Sequence, residues 1–193
     1  AEEMLESFDY ADVQALRDQW EAAEQTLPAE LMEHEEGAAL EMVCNFEEND
    51  RRAAYDREVD WDLSGWHRFS LDVYAPEPGP VGHMIIYFES GDGWYRSGGF
   101  SPASTWQTIE ISRADFSTEG EPAGWDSIER MRIAAWYGTA EDTVVAVDNF
   151  KAYRERVVLL TDSASLNSAE GGAAASAEQG GKDAGVEVSA VAG

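Results

Sequence analysis

Short runs rich in β-branched and aromatic residues, each cut off within ten positions by Gly, Pro, Asp or Asn, constrain this chain more than any other feature. They read "LEMVCNF", "HRFSLDVYAP", "GHMIIYFES", "GWYRSGGF", "WQTIEIS", "RMRIAAWY" and "TVVAVDNF". Runs this short and this regularly punctuated suit strands and not long helices, and their number fits an all-β, two-sheet antiparallel sandwich of about eight to ten strands. Within the runs, alternation assigns faces. Phe69, Leu71 and Val73 oppose Arg68, Ser70, Asp72 and Tyr74; Met84, Ile86 and Phe88 oppose His83, Ile85, Tyr87 and Glu89; Met131, Ile133 and Ala135 oppose Arg132, Ala134 and Trp136. One face is expected in the core, while the other is wet and carries aromatics. "PEPGPVG", "SGDG" and "STEGEPAG" mark turns. Near the start, "YADVQALRDQWEAAEQTLPAELMEHEEG" places Val13, Leu16 and Trp20 at helical spacing, which predicts a loop with one or two helical turns ending before Pro28.

All of the Trp residues lie between Trp20 and Trp136, and after Tyr153 the chain turns to Ala, Gly, Ser and Glu. That break divides it into a sandwich over 1–153 and a linker with a partial unit over 154–193. In the tail, "RVVLLTDSAS" reads as a buried strand, "NSAEGGAAASAEQGGKDAG" as a Gly-weakened helix and "VEVSAVAG" as a second strand. One β-α-β unit cannot make a domain. The tail resembles the strand-helix-strand piece of a von Willebrand factor A domain through "LLTD", although Ser163 stands where that family has Gly; flavodoxin-like domains contain the same generic unit. A truncated α/β neighbour is the expectation.

The chain carries 39 Asp plus Glu against 13 Lys plus Arg, a formal charge of -26. Nucleic acid and anionic membranes would be repelled, so neither is expected as a partner. The charge fits a secreted or salt-adapted surface and offers oxygen ligands to a hard cation such as calcium, although nearly all of these carboxylates must be plain solvated surface. Cys44 is the only cysteine, which excludes an internal disulfide and multi-cysteine zinc sites. It sits in "AALEMVCNF" as a small core residue. No run approaches the length needed to span a bilayer. The start at Ala1 suggests a processed or excised segment, and no signal peptide is seen.

Asp148, inside "TVVAVDNFKAY", raises a specific question. A carboxylate cannot enter a sheet's interior without compensation for lost hydration, so either this end of the strand faces water or something cationic sits beside it.

Taken in order and spacing, "LESFDY", "EEGAALEMV", "DWDLSGWHRFSLDVYAP", "WQTIEISRADFSTEGEPAGWDSIERMRIAAW" and "VAVDNFKAY" resemble the carbohydrate-binding modules of the galactose-binding-like β-sandwich superfamily. The resemblance spans residues 5–153 and implies a jelly roll with a structural calcium ion, a sugar-binding face or loop end, and no catalysis. It also implies that Asp9, the turn of Glu35, Glu36 and Gly37, and Asp148 converge on the ion, with Glu33 as a substitute for Glu35 if the turn is shifted. Calcium takes six to eight oxygens, so carboxylates and carbonyls from both ends of the sandwich can share it.

Sugar binding requires flat aromatic surfaces for C–H faces and planar polar groups for hydroxyls. Trp94, Tyr95 and Arg96 lie beside Gly-rich turns, and Arg132 and Trp136 share a face with the small Ala134; Tyr87 and Glu89 extend it. A Trp in a sandwich of this size is more often core than platform, so the expectation is that at least one of Trp94 and Trp136 is a platform. Trp61, Trp66, Trp106 and Trp125 sit by turn signals and are expected to plug the ends of the core.

Enzymatic patterns fare less well. Glu58, Asp60 and Asp62 in "EVDWD" resemble the acid cluster of retaining jelly-roll glycosidases, but the third acid is Asp and not the required Glu. "SGDGWYRSGG" lacks the Lys-Ser/Thr ending of a phosphate loop. His34, His67 and His83 have no Ser or Cys motif beside them. The reading is a non-enzymatic, calcium-stabilised module of a larger secreted or cell-surface protein, tethering it to polysaccharide or glycan through weak contacts that gain strength by multivalency. Its competitors are a structural or protein-interaction sandwich of the same fold and, less favoured, a glycosidase using Glu58 and Asp60.

Overall fold

A computed structural model describes residues 1–34 and 37–154. The chain divides into two units, Ala1–Val157 and Val158–Gly193. The tail read above as a β-α-β piece lies outside the described residues, as do Glu35 and Glu36.

The first unit is a sandwich of two antiparallel sheets. The six-stranded sheet runs β3 (Glu30–His34), β4 (Gly37–Cys44), β11 (Thr143–Tyr153), β6 (Arg68–Tyr74), β8 (Gln107–Ser112), with β1 (Glu2–Glu6) also on β11. The five-stranded sheet runs β2 (Glu21–Ala23), β5 (Arg52–Trp61), β10 (Ile128–Tyr137), β7 (Val81–Arg96), β9 (Ser117–Pro122). Among the described residues one short α-helix, α1 (Val13–Arg17), is capped by Asp12, whose carboxylate accepts the Ala15 N–H at 2.8 Å. Its Leu16 is buried in the core.

The core-facing half of each alternating run folds as read, but the opposite face, expected to be wet, is itself buried at Ile85, Tyr87 and Ala134, where side chains of the same sheet cover it. Phe69, Leu71, Val73, Met84, Ile86, Phe88, Met131, Ile133 and Ala135 are all fully buried between the sheets. Phe69 and Phe88 meet across the core at 5.4 Å between ring centres, and Phe69 also stacks on Phe150 at 5.9 Å. Where the sequence reading erred, pairing overrode local preference. "EAA" and "ELMEH" form edge strands against β5 and β4 although their residues favour helix. "STEGEP", read as a turn, is β9; Gly120 accommodates the left-handed φ of 70° that this strand requires.

The stretch Val81–Arg96 doubles back on itself. The Ser97 N–H donates to the Ile86 carbonyl at 2.9 Å, and Met84 and Phe100 exchange backbone bonds at 2.7 and 3.1 Å. Residues so far apart in sequence can be this close only if the chain reverses between them. The reversal falls at "SGDG", where Gly91 has φ 55°.

β11 changes partner halfway. Thr143–Val147 pair with β4, whereas Phe150–Tyr153 pair with β1. Between them the register with β6 shifts from Asp148 to Lys151, and Asn149 takes φ 49°. This bulge inverts the side-chain alternation. Val145 and Val147 point into the core before it, and Phe150 and Ala152 after it.

Candidate functional site

The outer face of the five-stranded sheet can be read row by row from the register. β10 is central, with β5 on one side and β7 on the other: Arg130 lies between Glu58 and Glu89, Arg132 between Asp56 and Tyr87, Ala134 between Ala54 and Ile85, and Trp136 between Arg52 and His83. Directly opposed side chains on one face are in contact range, so each row is a set of cross-strand pairs. Ala54, Ala134 and Ile85 form an apolar floor with Tyr87, and Trp94 and Trp136 pack against it.

Around that floor the aromatic rings alternate with guanidinium groups. Arg132 donates to both oxygens of Asp56, at 2.6 and 2.7 Å, and its guanidinium carbon sits 4.9 Å from the Trp94 ring centre. Arg52 makes the same forked contact with Glu24, at 3.2 and 2.7 Å, and lies 5.0 Å from the Trp136 ring centre and 5.9 Å from that of Tyr87. Tyr87 meets Trp94 edge-on at 6.3 Å, and His83 stacks on Trp136 at 5.8 Å. Cation–π contact combined with a forked carboxylate fixes the plane of each guanidinium. The hydrogen bond from Arg52 holds the Glu24 carboxyl below its usual range. Hydrogen bonding to Asp56 raises Arg132 further above neutrality.

Five of the residues singled out from sequence for sugar binding therefore share this face: Tyr87, Glu89, Trp94, Arg132 and Trp136. Arg96 lies at its margin, 3.5 Å from Glu119. Tyr95 does not belong to it. Neighbouring residues of a strand point to opposite faces, so placing Trp94 and Arg96 outward turns Tyr95 inward. There it is 9% exposed and stacks on Trp125 at 4.1 Å. The sequence reading places His83 on this face by alternation but names none of Arg52, Asp56 and Glu24, although counting back by twos from Glu58 leads through Asp56 and Ala54 to Arg52.

Beside this face, Asp18, Gln19, Glu21, Ala22, Ala23, Glu24, Asp56, Glu58 and Arg130 line a cleft of about 670 Å³. Glu58 and Asp60 are both exposed, but only Glu58 lines the cleft. Among the described residues, no aromatic ring lines it.

The carboxylate of Asp148 has a partner. His34 Nδ1 is 2.7 Å from Asp148 Oδ2, and the Asn149 N–H donates to Oδ1 at 2.7 Å. Asp148 is 5% exposed. Burial raises its pKa; the His34 and Asn149 contacts oppose the rise, and the charge of nearby Asp9 adds to it. Asp9 accepts the Ala38 N–H at 3.0 Å, and its carboxylate fills the space where a Cβ on Gly37 would stand. Asp9, against Gly37 and Ala38 of β4, and Asp148, against His34 of β3, thus bring carboxylates from near the two ends of the sandwich's chain into one neighbourhood, an oxygen set suited in kind to a hard cation. Among the described residues no group of three candidate ligands assembles, so further oxygens would have to come from backbone carbonyls, water or the turn itself. Next to Asp148, Trp106 stacks on His34 at 4.0 Å and on Tyr74 at 5.5 Å. Trp106 is thus held outside the core, whereas Trp66 is buried in it and Trp61 and Trp125 pack against it.

Comparison with known proteins places this fold. No protein-family model matches the chain, and no curated protein matches it. Solved structures do. The family 11 carbohydrate-binding module from Clostridium thermocellum, in complex with a β-1,3-1,4-mixed-linked tetrasaccharide, superposes with TM-score 0.59 at 19% identity, covering 79% of this chain and 95% of that one. A family 28 carbohydrate-binding module specific for non-crystalline cellulose gives 0.56 at 13% identity, covering 72% and 90%. An exo-β-agarase gives 0.58 at 10% identity, covering 79% of this chain but only 25% of the enzyme. The chain has the β-sandwich fold of carbohydrate-binding modules.

Proposed function

We propose that the sandwich is a non-catalytic module that binds a polysaccharide through the outer face of its five-stranded sheet. The observation that carries this reading is the gathering of Trp94, Tyr87 and Trp136 on one face, interleaved with forked guanidinium–carboxylate pairs. Aromatic plates offer contact to pyranose C–H faces, and the fixed Arg132–Asp56 pair beside them offers directed hydrogen bonds to hydroxyls. Arg132 and Trp136 are four residues apart on β10, so the face spans about 13 Å along the strand, room for a short oligosaccharide. The ligands named for the family 11 and family 28 modules make a mixed-linkage β-glucan or non-crystalline cellulose the first candidate. A calcium ion at the Asp9–Asp148 junction, tethering of a larger secreted or cell-surface protein, and enhancement by multivalency complete the proposal.

Affinity electrophoresis of the whole chain through gels containing mixed-linkage β-glucan, amorphous cellulose derivatives or agarose tests it. Retardation by one of these, lost in Trp94→Ala and Trp136→Ala while the fold persists by circular dichroism, supports the reading. A chain that no glycan retards refutes it, and favours the alternative in which the same face is a structural clamp or a protein contact. That alternative has one observation in its favour, since Tyr87 is only 4% exposed and guanidinium groups already lie over the rings.

A further inference from the structure

The outer face of the five-stranded sheet is covered by its own side chains, and the two covers are not equivalent. Arg132 is opposite Tyr87 on β10 and is gripped by Asp56, a residue of the neighbouring strand in direct register with it. Both partners stand on paired strands, so that cover is fixed by the sheet itself. Arg52 is different. Its side chain is 8% exposed and lies over Trp136 and Tyr87, above the apolar floor of Ala54, Ala134 and Ile85. The carboxylate that holds it belongs to Glu24, which follows the end of the three-residue β2 and takes a left-handed φ of 59°. A left-handed backbone at a residue with a Cβ is a strained conformation. Glu24 is also shared with Arg51, whose Nη1 lies at 3.6 Å.

One polar group of this face is unsatisfied. The Nε1–H of Trp136 is buried and has no hydrogen-bond partner among the described residues. A buried donor without an acceptor is a standing cost of that state, and a guanidinium, which carries only donors, cannot relieve it. A sugar hydroxyl or ring oxygen can.

Resting on the glycan-binding reading above, we infer that Arg52 is a displaceable cover latched by Glu24. A pyranose ring takes its place over Trp136, and the Trp136 indole N–H, which points out in the ring plane, gains as acceptor an oxygen of the adjoining sugar unit at the ring edge. The long, weakly hydrated guanidinium side chain suits this role, because it packs flat on a ring when the site is empty and tolerates partial exposure when moved aside. Apparent affinity is then lowered by the fraction of molecules in which the cover is open, and loosening the latch raises that fraction.

The test uses the whole chain in three forms, wild type, Glu24→Gln and Arg52→Ala, with two readouts. The first is calorimetric titration with mixed-linkage β-glucan oligosaccharide, for which both variants are expected to bind more tightly than wild type, by about tenfold if the cover is open a tenth of the time. The second is water exchange of the Trp136 indole N–H by nitrogen-15 NMR, assigned with Trp136→Phe, expected to accelerate in both variants with no glycan present. Weaker or unchanged binding in Arg52→Ala makes Arg52 a ligand contact or a bystander and overturns the inference. So does an indole exchange rate that stays at the wild-type value in both variants. Accelerated exchange in variants that bind no glycan overturns the glycan-binding reading while leaving the cover itself standing.

Discussion

Arg57→Met tests how the two sheets are joined. Glu6 ends β1 in the six-stranded sheet, its side chain 6% exposed, and Arg57 on β5 of the five-stranded sheet forms an ion pair with it. The Phe8 N–H donates to the same carboxylate at 2.8 Å and the Tyr10 hydroxyl at 2.9 Å. Removing Arg57 leaves a buried carboxylate with two neutral donors and no countercharge. Stripping one partner from a buried pair costs about 3–5 kcal/mol, and the two remaining donors put the expectation near the lower figure, ~3 kcal/mol. At roughly 2–4 °C per kcal/mol for a unit of this size, the melting temperature should fall by about 6–12 °C. Replacing both partners, Glu6→Leu with Arg57→Met, removes the stranded charge and should recover most of the loss, because a buried pair is worth little against a well-packed apolar substitute. Urea unfolding of the wild type, both single variants and the double variant closes the cycle. A single variant within about 1 kcal/mol of wild type, or single effects that simply add, would refute the idea that charge compensation joins the sheets here.

Gly93→Ala should destabilise the sandwich by about 3 kcal/mol in urea unfolding, because a Cβ there would lie 2.4 Å from Pro122 N and 2.6 Å from Glu121 N, both backbone atoms of β9; an unchanged midpoint would mean that β9 does not press against the hairpin. If calcium occupies the Asp9–Asp148 junction, removing it with a chelator should lower the melting temperature by about 5–10 °C under conditions where the ion is held a hundredfold above its dissociation constant, and an identical melt with and without chelator would exclude that ion. Burial, assisted by the charge of Glu6, pushes the Tyr10 hydroxyl up to about 12. Its folded pKa lies above the unfolded value of 10, so its contribution is complete below pH 10 and is lost as the pH rises toward 12. Ultraviolet titration should show a late-ionising tyrosine that disappears in Tyr10→Phe.

The core faces of β6, of the first half of β7 and of β10 could be read directly from alternation, because in each the large apolar residues recur at every second position and a slip of one residue would take the whole set out of the space between the sheets. Alternation failed where the backbone departs from plain pleating. Tyr95 follows a reversal at Gly91, and its face depends on where the turn closes. Asp148 was legible as a carboxylate in need of a partner, but its partner, His34, is 114 residues away in sequence, and nothing local in the chain names it. The edge strands β2, β3 and β9 carry helix- or turn-favouring residues and owe their form to hydrogen bonding with a neighbour. Arg52 was hidden for a related reason. Its role depends on standing opposite Trp136, a register that only the assembled sheet defines.

The most direct measurement is the binding of the whole chain to a panel of neutral glycans by isothermal calorimetry, alongside Trp94→Ala and Trp136→Ala variants whose melts remain cooperative. Saturable binding of at least one glycan by the wild type, abolished in the variants, is the expected result. Wild-type protein that binds none of them, or variants that bind as well as wild type, would contradict the assignment of this sheet face as a sugar platform.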